Sequence, residues 1–262
     1  PTAAFRNGTG ITIAGGAGDN QIGASGGSVA SNLITNSDDA GVWITTTAGT
    51  GNLVRPNQIY GNGQSGVGMG IDIGPLGQST NDPQDPDTGP NNGQNFPSVI
   101  NSLPNPDGTR EVTVSLDSKP NTNFRIDIYR SPDCPAGNRG GNMLNRIGGY
   151  AAVTSAAGQM TTTVTANGGG SPGILVAIAT NQATGDTSEP SLCFIEPAAT
   201  VTQISDSFPN PSQYGQAYPV TVTVTNPANG AGVSGPVAID DGLGDLFGVL
   251  AGGVADGVGG GG

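Results

Sequence analysis

Histidine is absent from this 262-residue chain, and charged side chains make up only 11% of it. Eight Lys and Arg residues stand against twenty Asp and Glu residues, which gives a formal net charge of −12 at pH 7. Nucleic-acid binding requires clustered Lys and Arg to neutralise phosphates, and attraction to anionic lipid requires the same. The shortage of basic residues therefore argues against a nucleic-acid partner and against an anionic membrane surface.

Long hydrophobic runs are also missing. No apolar stretch approaches the roughly 20 residues that a membrane-spanning helix requires, so no membrane insertion is expected. Helix-forming Leu, Glu and Lys are scarce, whereas the chain contains 46 Gly, 20 Pro and abundant Thr, Val, Ile and Asn. β-Branched residues favour strands, and Gly, Pro and Asn favour turns. The composition predicts an all-β protein.

Cysteine occurs only twice, as Cys134 and Cys193. In an acidic, Thr- and Asn-rich chain with one lysine we expect these two to form a disulfide; two separate buried thiols are the alternative. Disulfides persist in oxidising compartments, so an extracellular or cell-surface location is predicted. Nothing near Pro1 resembles a signal peptide, and we interpret the sequence as a processed or excised piece.

Short repeats take the place of helices in the segment 1–97. Apolar-x-apolar triplets recur as Ile11–Ile13, Val42–Ile44 and Ile71–Ile73, and Asn32-Leu33-Ile34 recurs as Asn57-Gln58-Ile59. Strands this short that recur at intervals of 25 to 31 residues are typical of stacked structural repeats. We therefore predict that residues 1–97 form the end of a right-handed parallel β-helix with an acidic capping loop.

Alternation along each predicted strand assigns its faces. The outer residues of the triplets should point inward, whereas the middle residues, Thr12, Trp43 and Asp72, should point outward. Trp43 is a candidate ligand contact because an outward indole can stack on a sugar ring; packing under a loop is the alternative. Several asparagines two residues before an Ile or Val are predicted to be structural corners that stack between coils: Asn20, Asn32, Asn52 and Asn57.

The remainder of the chain has longer alternating segments. Residues 98–197 contain four predicted strands and are expected to form an Ig-like β-sandwich: Glu111–Leu116, Phe124–Tyr129, Gln159–Thr165 and Ile174–Thr180. Residues 198–262 are expected to form a partial Ig-like repeat with a Gly-rich tail. Its predicted strands lie at Pro219–Thr225 and Val237–Ile239, and the last dozen residues are expected to be mobile or to pair with a neighbour.

Several motifs, in order along the chain, resemble those of one family. Gly70-Ile71-Asp72-Ile73-Gly74, the Asp/Asn/Pro loop that follows and Gln94-Asn95-Phe96-Pro97 resemble the last coil of right-handed β-helix repeat proteins secreted or displayed by bacteria. The stretch Ala179–Glu189 is similar to the end of the Ig-like module that commonly follows in that family. Pro209–Ser212 with Val220–Thr223 resembles the start of another. The resemblance implies an exported structural protein and names no ligand.

The acidic loop offers the best candidate metal site. Asp82, Asp85, Asp87 and Asn91 concentrate hard oxygen ligands in one turn-rich stretch, where calcium would relieve the repulsion between like charges. Asp72, expected to point outward, is a further candidate ligand. The loop is not an EF-hand, because Phe96 stands where the bidentate Glu would be. The alternative is a solvated cluster of Asp and Pro turns.

Catalysis is not expected from this piece. Asp38 and Asp39 suggest the paired carboxylates of β-helix glycosidases, but the pectin-cleaving enzymes of that kind also need a His and a Lys. This chain has no His, and Lys119 lies outside the predicted coils. A lyase would need an Arg or Lys base beside calcium, and the coils offer only Arg6 and Arg55.

We therefore expect a structural or adhesive extracellular protein whose function is reach, rigidity and attachment. The alternative is a protein that binds surface glycans, or degrades polysaccharides, through active coils that lie upstream. A third possibility is self-assembly into filaments, in which an unpaired strand edge of one chain completes the sheet of the next.

Overall fold

The computed structural model describes residues 6–24, 32–135, 139–168, 172–197, 201–205, 218–225, 235–240, 245–250 and 254–259. Strands dominate this part of the chain, which contains one short 3₁₀ helix, Pro90–Gly93, and no α-helix. The chain divides into two compact units, Pro1–Glu196 and Pro197–Gly262. The all-β prediction is confirmed.

Seven short strands open the first unit and belong to three parallel sheets, ordered β1-β4-β7, β2-β5 and β3-β6. Successive strands therefore visit the three sheets in turn and then return to the first. A strand this short cannot satisfy its backbone groups alone, so each strand depends on its parallel neighbour. Their bounds are β1 Ile11–Ile13, β2 Gln21–Gly23, β3 Leu33–Thr35, β4 Val42–Thr45, β5 Leu53–Arg55, β6 Gln58–Tyr60 and β7 Ile71–Gly74.

The register of these sheets follows the sequence repeat. Ile11 pairs with Val42, and Val42 pairs with Ile71. In the sheet of β3 and β6, Leu33 pairs with Gln58, which are equivalent positions of the repeated Asn-led triplets. The repeat spacing therefore predicted the strand pairing correctly.

Asparagine amides connect neighbouring strands at the corners. Asn20 Nδ2 donates to Asn52 Oδ1 at 2.8 Å, and Asn32 Nδ2 donates to Asn57 Oδ1 at 2.9 Å. Each amide can donate and accept at once, so identical side chains can continue a ladder. The predicted amide contacts of these four asparagines between neighbouring strands are confirmed.

Two antiparallel sheets follow in the same unit, ordered β11-β10-β13-β14 and β12-β9-β8. All four strands predicted between residues 98 and 197 are present, and β8, β11 and β14 are additional. Strand β11 was missed because Gly148 and Gly149 interrupt its apolar pattern. The bounds are β8 Ser98–Pro104, β9 Thr109–Asp117, β10 Asn123–Ser131, β11 Asn145–Val153, β12 Gln159–Asn167, β13 Ile174–Asn181 and β14 Phe194–Ile195.

Strands β10 and β13 are buried on both faces. One face, which includes Phe124, Ile126 and Leu175, packs in an apolar cluster with residues of β9 and β12. The opposite face contributes Tyr129 and Ile178 to a second cluster. That second cluster contains the inward-pointing residues of the parallel sheets. One apolar core therefore includes residues from both sides of residue 97, the predicted domain boundary. The division of the chain into domains 1–97, 98–197 and 198–262 stays a prediction.

A disulfide joins Cys134 to Cys193, with a Cα–Cα distance of 5.9 Å. Cys134 lies in the loop after β10, and Cys193 directly precedes β14. The predicted pairing of the two cysteines is confirmed.

The described residues of the second unit form five strands in two sheets, ordered β15-β16-β19 and β17-β18. Both strands predicted in this region are present, and the expected Gly-rich tail contains β19, which pairs with β16. The motif at Pro209–Ser212 lies outside the described residues. The bounds are β15 Val201–Ser205, β16 Tyr218–Thr225, β17 Gly235–Asp240, β18 Asp245–Leu250 and β19 Val254–Gly259. No helix in the described ranges has the length and apolar character to cross a membrane.

Candidate functional site

The four predicted calcium ligands lie in the loop between β7 and β8, but they do not converge. Asn91 is buried, and its Oδ1 accepts hydrogen bonds from Asn52 N at 2.9 Å and Asn52 Nδ2 at 3.0 Å. Its Nδ2 donates to Thr187 O at 3.0 Å. Asn91 therefore joins the residue before β5 to the segment after β13, and its oxygen already accepts from two donors.

Asp82 and Asp85 lie together beside Asn95, whereas Asp87 is exposed. Asp82 N donates to Asn95 Oδ1 at 3.2 Å, and Asp85 Oδ2 accepts from Asn95 N at 3.4 Å. The Oδ1 atoms of both aspartates are buried and have no hydrogen-bond partner among the described residues. Burial raises the pKa of Asp85, while a hydrogen bond from Ser118 lowers it.

The described residues contain no cluster of three or more His, Cys, Asp or Glu side chains that could hold a metal ion. The two unpartnered oxygens are nevertheless hard ligands of the kind calcium prefers. The calcium hypothesis therefore narrows from four residues to Asp82 and Asp85.

Asp72 was expected to point outward, and the structure shows it fully buried. The turn after β7 folds over it, and Gly77 N donates to its Oδ2 at 2.9 Å. Its Oδ1 has no hydrogen-bond partner in the described structure. Desolvation raises the pKa of Asp72 to about 7; the Gly77 hydrogen bond opposes this rise, and the negative charge of Asp39 adds to it.

Glu189 is a second buried carboxyl group, and sequence reasoning missed it. Its Oε1 accepts from Ile73 N at 3.0 Å, and its Oε2 accepts from Ser79 N at 2.8 Å and Gln78 Nε2 at 3.0 Å. Desolvation raises the pKa of Glu189 to about 8 against these hydrogen bonds, and the charge of Asp72 raises it further. Glu189 thus fastens β7 and the loop after it to the C-terminal end of the first unit.

A cavity of about 10 Å³ beside Glu189 has room for about one water molecule. Its lining includes Ser79, Asn81 and Gln94. The arrangement can therefore take up or release protons, but it does not offer a substrate-sized space.

The other residues singled out in the sequence contact neighbouring parts of the first unit. Asp38 pairs with Arg6 at 3.4 Å, and Asp39 Oδ1 accepts from Ser65 Oγ at 2.9 Å. Trp43 is half-buried, and its Nε1 donates to Gly74 O at 2.9 Å. Part of the indole is thus covered by its own strand neighbour, while the remaining surface could contact a ligand.

A cavity of about 270 Å³ lies in the first unit and is hereafter called the arginine pocket. It contains two arginines, Arg55 from the coils and Arg125 from β10. Beneath them lies Asp127, which is fully buried. The only sequence signal for this site is the Arg-x-Asp alternation within an otherwise apolar strand. The pocket is lined by Leu53, Arg55, Arg125, Thr180, Asn181, Gln182 and Gly185.

No protein-family model matches the sequence, and no curated protein matches it. Its function must therefore be inferred from the packing, charges and cavities described above.

Proposed function

We propose that this chain is a non-catalytic structural part of an exported bacterial surface or matrix protein. In this proposal the first strands are the end of a right-handed parallel β-helix, held rigidly against an Ig-like β-sandwich. The observation that carries the proposal is the apolar cluster shared by the coils and the antiparallel sheet. A continuous core makes the two parts one mechanical unit, as a spacer that transmits force requires.

The shared cluster is built from large, fully buried side chains. Ile44, Ile59 and Ile71 of the coils pack in one cluster with Tyr129 and Ile178 of the sheet. Burial of an aliphatic or aromatic side chain of this size contributes about 1.5–3 kcal/mol. The cluster therefore gives the junction a stability comparable to that of a domain interior.

Backbone hydrogen bonds fix the geometry of this junction. Ile59 N donates to Met143 O, and Met143 N donates to Ile59 O, both at 2.7 Å. This pair is an antiparallel bridge between β6 and the loop before β11. The junction therefore has a defined register as well as an apolar core.

The segment 186–189 supplies acceptors for three backbone donors of the coils. Gly51 N donates to Asp186 Oδ1 at 2.7 Å, Val54 N donates to Thr187 Oγ1 at 3.1 Å, and Ile73 N donates to Glu189 Oε1 at 3.0 Å. Buried backbone donors without acceptors would destabilise the fold. The contact is therefore specific, because sliding the two parts would leave these donors unpaired.

Hydrogen exchange on the full chain tests the proposal. We expect the slowest amides of β4 and β7 and those of β10 and β13 to exchange with the same opening free energy. The substitution Ile59→Ala should lower the opening free energy of both groups of amides by about 2–5 kcal/mol. Val153→Ala, at an exposed position, is the control and should change them by less than about 0.5 kcal/mol. A loss of protection confined to the coil strands would refute a single mechanical unit.

Carbohydrate binding is the alternative function, and the partly accessible ring of Trp43 is the observation that favours it. Binding of the full chain to a glycan array, with loss of binding on Trp43→Ala, would support this alternative. Release of new reducing ends from a polysaccharide would contradict the non-catalytic proposal.

Self-assembly is a second candidate, favoured by two edge strands. Strands β8 and β14 each lie at the edge of a sheet. They expose large apolar side chains, with Ile100 52%, Leu103 57% and Ile195 67% accessible. Exposed apolar edges favour pairing between copies. Concentration-dependent assembly in sedimentation, reduced by Leu103→Lys, would support filament formation, and a monomer at all concentrations would exclude it.

A further inference from the structure

Three arginine side chains surround the carboxylate of Asp127, which lies beneath the arginine pocket. Three of the eight basic residues of the chain, Arg55, Arg125 and Arg146, converge on the single carboxylate of Asp127. Arg55 Nε donates to Asp127 Oδ2 at 2.5 Å, and Arg146 Nε donates to Asp127 Oδ1 at 2.6 Å. Those four side chains carry a surplus of two positive charges, in a protein whose net charge is −12.

Of the three arginines, Arg125 lies farthest from the carboxylate of Asp127. Its Nε lies 3.6 Å from Asp127 Oδ1, beyond hydrogen-bond distance. The Nε atom is buried and has no acceptor in the part of the chain that the structure describes. An unsatisfied buried donor is unfavourable, more so on a charged group. The side chain is 29% accessible, so a ligand in the pocket can reach the guanidinium.

The nearby carboxylate of Asp186 does not accept a hydrogen bond from the Arg125 Nε. Its Oδ1 accepts from Gly51 N at 2.7 Å, and its Oδ2 accepts from Asn92 Nδ2 at 2.8 Å and Thr184 Oγ1 at 2.6 Å. None of the seven described lining residues is acidic. The pocket therefore presents cations to its cavity without a competing anion on its walls.

The neutral part of the lining is polar. Asn181 Oδ1 accepts from Ala183 N at 3.0 Å, which leaves its amide nitrogen as a donor for a ligand. Gln182 Nε2 donates to Phe124 O at 3.3 Å, which leaves its amide oxygen as an acceptor. A ligand with hydroxyl groups next to an oxyanion would match these amides and the arginines together.

We propose that the arginine pocket binds the oxyanion group, a carboxylate or a sulfate, of a small hydroxylated ligand. The guanidinium of Arg125 takes the oxyanion through its planar fork, Arg55 adds charge from the coil side, and the amides of Asn181 and Gln182 take the hydroxyls. A cavity of about 270 Å³ accommodates a small organic anion. The proposal is independent of the structural role above, because a rigid spacer needs no ligand.

Calorimetric titration of the full chain tests this site with four probes: glucuronate, glucose 6-sulfate, glucose and inorganic sulfate. We expect one or both of the charged sugars to bind and glucose not to bind. Arg125→Gln should weaken this binding roughly 10- to 100-fold, because it removes the charge-assisted hydrogen bonds of the guanidinium. Arg6→Gln is the matched control, since it makes the same change in net charge at an exposed pair.

A second measurement uses the unchanged protein. In a ¹⁵N spectrum, the ligand should shift the Arg125 Nε–H resonance and the side-chain amide of Asn181, whereas it should leave that of Gln58 in place. Equal binding of inorganic sulfate and the sugars would show an adventitious ion only. That result, no binding of any probe, or equal binding by the Arg125→Gln chain would each overturn the proposal.

Discussion

Replacing Asp72 by Asn should make the protein more stable at pH 8 and leave it little changed at pH 4. The carboxyl is fully buried under the turn at Gly77, and only one of its oxygens has a hydrogen bond in the described structure. Asparagine has nearly the same shape, and its Oδ1 can still accept from Gly77 N. The substitution therefore removes the buried charge while it keeps the packing.

The size of the effect follows from the pKa of Asp72, which burial raises from 3.8 to about 7. A raised pKa means that folding favours the protonated form. The stability that the group contributes is therefore fully present below about pH 4 and is lost as the pH rises through 7. At about 1.4 kcal/mol per pKa unit, the loss is about 4 kcal/mol for the wild-type chain. The Asn variant does not titrate and avoids that loss.

Denaturant unfolding followed by the fluorescence of Trp43 measures this difference, because Trp43 is the only tryptophan and pairs with Asp72 in the parallel sheet. The free energy of unfolding of the variant minus that of the wild type should rise by several kcal/mol between pH 4 and pH 8. Asp38→Asn, at an exposed ion pair, should change by less than about 1 kcal/mol at either pH. A rise below about 1 kcal/mol for Asp72→Asn would mean that water reaches the carboxylate, and the reasoning would be wrong.

Two further predictions concern the disulfide and the acidic loop. Replacing Cys134 and Cys193 together by Ser should lower the free energy of unfolding by about 4 kcal/mol, since the bridge joins positions 59 apart in the chain; an unchanged denaturation midpoint would contradict this. If Asp82 and Asp85 hold calcium, a calcium concentration of 100 times the Kd should stabilise the chain by about 2.7 kcal/mol. Chelator should reverse that gain and Asp85→Asn should abolish it, whereas a melting temperature unaffected by calcium would end the hypothesis.

The strand pairing of the coils could be predicted from the sequence because it is a local property repeated in register. Ile11, Val42 and Ile71 occupy equivalent positions of the repeat and pair directly, and a slip of one position would turn every apolar side chain outward. The burial of Asp72 could not be predicted in the same way. Alternation places it on the outer face of its strand, and only the tertiary path of the turn at Gly77 covers that face.

The same limit explains why the arginine pocket was missed. The pattern of β10 alternates apolar Phe124, Ile126 and Ile128 with polar Arg125 and Asp127, which in an antiparallel sheet indicates one solvated face. In the structure both faces are largely buried, because the polar face packs against the parallel sheets and carries its own ion pairs.

Alternation reports that a strand has two unlike faces, but it does not report what covers the polar one. A charged face that meets water and a charged face that meets another layer have the same sequence pattern. They differ only in whether a counter-charge comes from elsewhere in the chain, as Arg55 does from 72 positions before Asp127. A sequence alone is therefore least informative about long-range ion pairs of this kind. A pocket that forms around such an ion pair is easy to overlook.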